Sequence, residues 1–576
     1  MALFLLGITC FRHDSAAVLL RDGAIVAAAQ EERFSRRKFD ARFPAAAARW
    51  CLAHAGLASA DLAAVAVCEP PASPIAGGDP RAAVRRDLGA LIGDAPPVVF
   101  VALEQARAAA AFFASPFQRA AVLCMDGAGE RIATSAWCGD GRRLTPLWAI
   151  KAPHALGLLY SAFTHYCGFA VGAGEYKLMG LAPYGEPTYA RAIRERLIDI
   201  DGDGQFRLDP GYFKSDGDAV AAGDRLADLF GGAPRAPDAP LEQRHMDVAR
   251  SVQVVTEEAV LHLGRGLHRM TGAEHLCLAG GVALNCVANG RLLRDGTFRD
   301  IWVQPAAGDA GTALGAALWL WHETLGKPRA VTAGGDDAMA GGFLGPAFDD
   351  GAIAAALDAA GATSIRLKSD TLCARVAALL AQGNVVGWVQ GRMEFGPRAL
   401  GARSILADPR DPAMQSRLNR KIKFRESFRP FAPAVLAERL GDWFAHDRPS
   451  PYMLFTAPVA EPVRLRLDPA RQALTGLARL AVPRSRIPAV THVDYSARIQ
   501  TVHAATNPRF HCLLRAFENL TGCPVLINTS FNVRDEPIVC TPADAWRCFL
   551  RTEMDYLCVG NHLLARAGQP VALTGG

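Results

Sequence analysis

No C-x-x-C pair occurs among the fourteen cysteines, which are scattered from Cys10 to Cys558 and sit mostly in apolar runs such as 123–125 and 276–278. That scatter excludes a zinc ribbon and a disulfide framework and points to reduced core thiols in the cytosol. No apolar run reaches the ~18–20 residues needed to cross a bilayer. The longest weakly polar one, 276–290, is broken by Gly280, Gly281 and Asn285. A basic leader is also missing: the apolar start, 1–10, is followed at once by Arg12, His13 and Asp14 and reads as a buried strand. Nor does one sign of charge dominate. With 62 Lys+Arg against 57 Asp+Glu, the net +5 over 576 residues is too weak a field to predict nucleic acid or an anionic membrane as partner. Any phosphate ligand must be held locally. What the chain has instead is apolar bulk: 50% hydrophobic residues, in a length several times the ~100–200 residues of an ordinary domain, predict two or more packed cores.

Residues 3–30 alternate apolar runs (3–9, 16–20, 24–29) with polar breaks, the pattern of a short antiparallel meander. The pattern returns at 120–125, 132–138 and 144–150, and its first run ends in Asp126-Gly127-Ala128-Gly129. Two such meanders, each opening with a polar loop and followed by helical stretches, predict a duplicated half-domain with a cleft between the copies. Actin and the sugar kinases are organised in this way. Helices are predicted at 43–57, 104–114 and 246–271. A strand at 275–278 runs through Ala279-Gly280-Gly281-Val282-Ala283-Leu284-Asn285 into another helix, an arrangement that lets backbone approach a phosphate or ribose closely. A strand at 301–303, then Asp309 and a helix at 313–323, complete this part. The linker-like stretch 326–342 sets the predicted domains at 1–335 and 343–576. The second reads as helix 353–360, strand 363–367, helix 371–382, strand 385–389, a polar loop 390–403, a basic segment 417–429, and strands 525–527 and 556–559.

The densest chemistry lies in Gly391-Arg392-Met393-Glu394-Phe395-Gly396-Pro397-Arg398-Ala399-Leu400-Gly401-Ala402-Arg403-Ser404 and in 419–433, which holds Lys423, Arg425 and Arg429. Arginines interleaved with Gly, Pro and Phe suit a pocket where several cations converge on one polyphosphate, since guanidinium forks bind phosphate bidentately. The alternative is a solvated basic face, against which the Phe and Pro content argues. Asn528-Thr529-Ser530-Phe531-Asn532 can hydrogen-bond a ligand at the carboxyl end of its strand, or form an ordinary turn. Arg498 is either a phosphate contact or part of an exposed strand. His13 ends a predicted strand, where it can act as a base toward an acceptor hydroxyl or be structural. Asp126 and Asp309 form the natural pair to face a cation or phosphate across a cleft, or else cap turns.

Read together, Arg12-His13-Asp14-Ser15-Ala16-Ala17, Glu31-Glu32-Arg33-Phe34-Ser35, Gly174-Glu175-Tyr176-Lys177-Leu178-Met179-Gly180-Leu181-Ala182-Pro183-Tyr184-Gly185, the Gly280–Asn285 run, the 391–404 block and the Asn528–Asn532 run resemble the carbamoyltransferases of nodulation-factor and antibiotic biosynthesis, over nearly the whole chain. The resemblance implies an α/β protein with an N-terminal duplicated actin-like (ribonuclease H-like) domain and a C-terminal YrdC-like domain. The C-terminal domain would make carbamoyl-adenylate from carbamoyl phosphate and ATP, releasing pyrophosphate and phosphate. The N-terminal one would pass the carbamoyl group to a small-molecule hydroxyl or amine. It further implies Lys423, Arg498 and Ser530 at the adenylate-forming site with Arg398, Arg425 and Asn532 beside them. Lys177, Gly280, Gly281 and Asn285 would cradle the adenylate at the transfer site, His13 would act at acceptor transfer, and Asp126 and Asp309 would be metal ligands.

The implied cofactors are ATP with Mg, and in the family iron held partly by two histidines. Here Leu103 and Arg107 stand where those histidines are expected. Leucine cannot ligate a metal and a guanidinium brings fixed positive charge, so the iron site is expected to be absent or weak, with Arg107 pairing instead with Asp126, Asp309 or the phosphate. Tyr495 stands where the family has glycine. Three alternatives stay open: different chemistry on the activated carbamoyl group, a nucleotide-binding scaffold, and a tRNA-modifying enzyme of the threonylcarbamoyl type, which the near-neutral charge disfavours. A cytoplasmic location without nucleic acid or membrane is expected, and a homodimer stays open.

Overall fold

The computed structural model describes residues 2–71, 78–93, 96–127, 131–202, 204–216, 219–331 and 335–569; Ala128 and Gly129 of the acidic loop and residues 332–334 of the linker-like stretch lie outside them. The chain forms two compact units. Unit 1 is Met1–Glu31, Phe39–Met339 and Thr475–Leu477, and unit 2 is Glu32–Lys38, Ala340–Leu474 and Ala478–Gly576.

Both expected meanders form in unit 1. The first is β1 (Phe4–Thr9), β2 (Ala16–Arg21) and β3 (Ala24–Gln30), joined by β4 (Leu62–Cys68) and β5 (Val98–Val101) in the order β3-β2-β1-β4-β5. The second is β6 (Arg119–Met125), β7 (Ile132–Asp140) and β8 (Arg143–Lys151). Two short hairpins follow, β9 (Ile198–Ile200) with β10 (Phe206–Leu208) and β11 (Phe213–Asp216) with β12 (Ala219–Ala222). Then β13 (His275–Ala279) and β14 (Asp300–Val303) complete the order β14-β13-β6-β7-β8. In each sheet the meander is antiparallel and the two added strands are parallel to its first strand. The wiring is the same twice, which is the duplication expected of an actin-like domain. β1 and β4 are buried along nearly their whole length, as parallel-paired strands covered on both faces must be, and this is why they read as continuous apolar runs.

Two helices lie back to back between the sheets. The Gly311–Trp319 helix packs on β1, β2 and β4, and the Leu103–Phe112 helix packs on β6, β7 and β13. They approach closely because Gly315 abuts the carbonyl of Ala106, where a Cβ has no room. The helix expected to reach residue 323 instead widens into a π turn at Leu320–Thr324. The 326–342 stretch does not hang free, since the Arg329 guanidinium donates to the carbonyls of Phe112 (2.7 Å), Ser115 (2.8 Å) and Phe117 (2.7 Å).

Unit 2 is an α/β layer around a mixed sheet. In chain order its strands are β15 (Ile365–Arg366), β16 (Val386–Val389), β17 (Arg403–Ala407), β18 (Ala432–Leu436), β19 (Phe455–Pro458), β20 (Ser496–Val502), β21 (Val525–Ser530), β22 (Tyr556–Val559) and β23 (His562–Ala565). They lie in the order β15-β23-β22-β16-β17-β21-β18-β20-β19. Only β16/β22 and β18/β20 pair in parallel. Trp388, Phe510, Phe517 and Phe531 fill the core. The sequence pattern did not isolate β17, β18 or β20, whose short apolar runs are interrupted by Arg, Pro or Gln. The basic segment opens as a helix, Met414–Lys421.

Candidate functional site

Each unit carries one cluster of the residues singled out above. In unit 1 the helix pair sets the geometry. Leu103 and Arg107 are one turn apart on the same face of an alanine-rich helix, and Asp309 lies just ahead of the partner helix. Asp126 closes β6. Arg107, 4% exposed, is paired through Nε with Asp126 and through a terminal nitrogen with Asp309 at 2.8 Å. A buried guanidinium needs such partners, since an unpaired charge there is prohibitive. The pairing treats the two acids differently. Burial pushes the Asp126 carboxyl above its ordinary value, and Arg107 only partly offsets this. Burial acts on Asp309 in the same direction, but Arg107, with Arg12 and His13, outweighs it and holds that carboxyl below the ordinary range.

The loop after β1 is fastened to the same place. Thr9 and Thr312 share a hydroxyl–hydroxyl bond of 2.9 Å, and the Thr312 hydroxyl donates to the Asp309 carbonyl at 2.6 Å. His13 is exposed, stacks obliquely on Phe39 with ring centroids 4.1 Å apart, and places Nε2 3.1 Å from the Gly172 carbonyl. A carbonyl only accepts, so Nε2 carries the proton and the lone pair of the neutral ring lies on Nδ1. Glu175 holds that glycine loop through the amides of Gly172 (2.9 Å) and Gly174 (3.1 Å). Lys177 sits one turn of chain beyond, its ammonium 5.8 Å from the Phe169 ring centroid.

After β13, Gly280 adopts φ +89°, and its Cα faces the Met125 carbonyl so closely that only glycine fits. The Gly281 amide donates to Asp126 at 3.3 Å. Asn285 caps the Cys286–Asp295 helix at the Ala288 amide (3.0 Å) and exchanges two bonds with Gln253 (3.0 and 3.2 Å), so its side chain is occupied within the fold. Gln253, which sequence reading passed over, also accepts from the buried Tyr160 hydroxyl at 2.8 Å.

The donor chemistry around the two carboxylates bears directly on the metal that the resemblance implies. Leu103 has no donor atom, Arg107 fills the space between the two carboxylates, and burial pushes the neighbouring Cys124 thiol up to about 12. A cavity of about 10 Å³, about one water probe, adjoins Arg107 and Asp126 and is lined also by Leu103, Glu104 and Cys124. Among the described residues no group of three or more His, Cys, Asp or Glu could hold a metal ion. These residues do not fit the iron that the resemblance implies.

In unit 2, Lys423 is 5% exposed and its ammonium lies 2.7 Å from the Ser530 carbonyl, 2.8 Å from the Asn532 carbonyl and 2.6 Å from Asn532 Oδ1. Three short bonds to acceptors require three N–H groups, so the amine is held as ammonium. Burial, and then the positive charges of Arg425, Arg429 and Lys38, nevertheless push its pKa well down. Such a group is poised to gain from a bound anion. The Ser530 hydroxyl donates to Asn532 Oδ1 at 2.7 Å. Arg425 is aimed by Asn419 Oδ1 (2.6 Å) and lies 4.5 Å over the Phe431 ring.

Arg498 is on β20, with β18 between it and β21. Gln500 and Asn528 bond across β18 at 2.7 Å and so share a face, and period-two alternation puts Arg498 and Ser530 on that face with them. Arg398 is half-buried in the 390–403 loop. The other arginines of that block have structural roles. Arg403, 1% exposed, donates to the carbonyls of Cys540 (3.0 Å), Pro346 (2.9 Å), Gln390 and Gly391 (both 3.2 Å), and Arg392 donates to those of Gly345 (3.2 Å) and Leu344. A separate cavity of about 150 Å³ in unit 2 is lined by Gln390, Arg509 and Asn561 among others, and by none of the predicted site residues.

Comparison with known proteins covers both units. The family model described as Carbamoyltransferase N-terminus matches residues 5–72 and 83–318, and the one described as Carbamoyltransferase C-terminus matches residues 377–566. The uncharacterized protein sll1178 of Synechocystis is 53% identical over 98% of this chain and 97% of its own length. Nodulation protein NolNO of Sinorhizobium fredii is 37% identical over 96% of this chain and 79% of its own. The 3'-hydroxymethylcephem-O-carbamoyltransferase of Amycolatopsis lactamdurans is 37% identical over 63% of this chain and 59% of its own.

Proposed function

This chain belongs to the carbamoyltransferase family and is a transferase, and from that premise we propose that it is ATP-dependent, activating carbamoyl phosphate as carbamoyl-adenylate in unit 2 and transferring the carbamoyl group in unit 1 to a small-molecule hydroxyl or amine. One observation carries the reading: Lys423, a buried ammonium bonded to Ser530 and Asn532, among Arg425, Arg429 and Lys38 and with no carboxylate among its bonded partners. Such a concentration of positive charge has its use when a polyanion binds. Carbamate is a poor electrophile, because nitrogen lone-pair donation stabilises its carbonyl and its leaving group is bad. Once carbamoyl phosphate has lost its phosphate to water, the carbamate oxygen would attack the α-phosphorus of ATP and displace pyrophosphate, whose charge the cations neutralise. The resulting mixed anhydride gives the carbonyl a good leaving group, AMP.

Lys423 and Arg425 would neutralise the phosphates of ATP, taken as its Mg complex. The Ser530 hydroxyl and Arg498, on one sheet face, would orient the carbamoyl and phosphate oxygens. In unit 1 the lone pair on His13 Nδ1 would take the proton of the acceptor hydroxyl as it attacks the carbamoyl carbon, AMP leaving with the bonding electrons. A hydroxyl acceptor agrees with the O-carbamoyl transfer named in the Amycolatopsis relative.

The test is pyrophosphate release from ATP on adding carbamoyl phosphate. The parent should release it and Lys423→Ala should fall by roughly a hundredfold or more. Release that ignores carbamoyl phosphate, or equal release by the variant, defeats the reading.

A further inference from the structure

We propose that the transfer site of unit 1 is built to work without a metal ion, with Arg107 standing as a fixed internal cation between Asp126 and Asp309. The inference rests on the proposed function for what the site does, but not for what it holds. Three observations carry it. Arg107 is buried, and its guanidinium engages both carboxylates at once, Asp309 through a terminal nitrogen at 2.8 Å and Asp126 through Nε. Of the other positions of that helix beside it, Leu103 offers no donor, and Glu104, which lines the adjoining cavity, joins no group of three or more metal-ligating side chains among the described residues. The cavity beside Arg107 and Asp126 is about 10 Å³, the size of about one water probe.

A divalent ion between two carboxylates would sum to zero, whereas one guanidinium leaves the trio one negative charge, with Arg12 as a further positive side chain acting on Asp309. Arg12 is itself anchored, donating to the Glu69 carbonyl at 2.8 Å. A guanidinium stays protonated at any working pH, so the charge here does not depend on metal supply. It supplies no Lewis-acid site. Arg107 is therefore a positioning residue: it fixes Asp126, which accepts from the Gly281 amide of the glycine turn, and Asp309, which is bonded through Thr312 to the loop carrying His13.

The experiment uses the full chain and cobalt(II), added without oxygen and followed by gel filtration, elemental analysis and the visible d–d absorption of bound cobalt. The parent is expected to retain only trace cobalt. Leu103→His with Arg107→His should gain close to stoichiometric cobalt and its absorption band, and adding Asp309→Asn should abolish both. Stoichiometric cobalt in the parent, lost in Asp309→Asn, overturns the proposal. So does a double variant with parental circular dichroism that binds no cobalt, because the four side chains would then not converge where Arg107 now lies.

A kinetic arm separates positioning from folding. Arg107→Gln should lose transfer by roughly a hundredfold with pyrophosphate release unchanged, and guanidinium ion in the assay should restore part of the loss. Absence of that rescue in a folded variant also counts against the proposal. Should the parent itself release no pyrophosphate, the activation reading fails while the cobalt measurement still decides this one.

Discussion

Arg107 is the residue on which unit 1 is most exposed to mutation. Replacing it with methionine keeps most of its packing but leaves Asp126 and Asp309 facing one another in a buried site. Removing one partner of a buried ion pair costs about 3–5 kcal/mol, and Arg107→Met is predicted to lower unfolding stability by that order in denaturant titration. Arg107→Met with Asp309→Asn should recover part of the loss, since one uncompensated charge goes. A variant within about half a kcal/mol of the parent would show the pairs to be energetically idle. At this scale the sequence was partly legible. The exchange of ligands for Leu103 and Arg107 could be read, because side-chain chemistry alone decides whether an atom can donate to a metal. The individual roles of arginines in the 391–404 block could not. Arg403 and Arg398 look alike in sequence, yet Arg403 is enclosed by five carbonyl and main-chain contacts while Arg398 is half-buried in the loop. Which cations face a ligand depends on where the loop turns back, a long-range matter.

At the scale of elements, the two back-to-back helices of unit 1 are what bring a residue of one half toward a residue of the other. Their spacing depends on Gly315 against the Ala106 carbonyl. Gly315→Ala forces the helices apart, and overpacking of this kind costs about 1–3 kcal/mol. The prediction is a lowered melting temperature together with weakened transfer, while pyrophosphate release persists, because Lys423 and its neighbours belong to unit 2. Equal loss of both half-reactions would contradict it. Meanders and long helices were legible because their periodicity is local. The segment Glu32–Lys38 was not: it follows β3 in the chain but packs with unit 2, where the Arg36 guanidinium donates to the carbonyls of Ile538 (2.7 Å) and Pro537 (2.9 Å). The face shared by Arg498, Gln500, Asn528 and Ser530 was equally hidden. Each strand shows its own alternation, but their adjacency through β18 is set by pairing that no spacing rule reveals.

Over the whole molecule, all fourteen cysteines are free thiols, and only Cys138 and Cys512 are part-exposed. A thiol-reactive dye should therefore label no more than two under native conditions and all of them after denaturation. Burial raises the folded values of Cys124, Cys167, Cys277 and Cys558 to about 12, against about 8.5 in an unfolded chain. For a group raised on folding, its contribution to stability is complete below the unfolded value and is lost as pH climbs toward the folded one. The midpoint of denaturant unfolding is thus expected to fall steadily once pH passes about 8.5, and a flat profile up to pH about 11 would show the thiols to be solvated.

The activation chemistry assigned to unit 2 is tested most directly by following labelled pyrophosphate from ATP in the presence and absence of carbamoyl phosphate, with the parent and with Lys423→Ala. The account predicts release that requires carbamoyl phosphate and collapses in the variant. Release by the variant at the parental rate, or none from the parent, would contradict it.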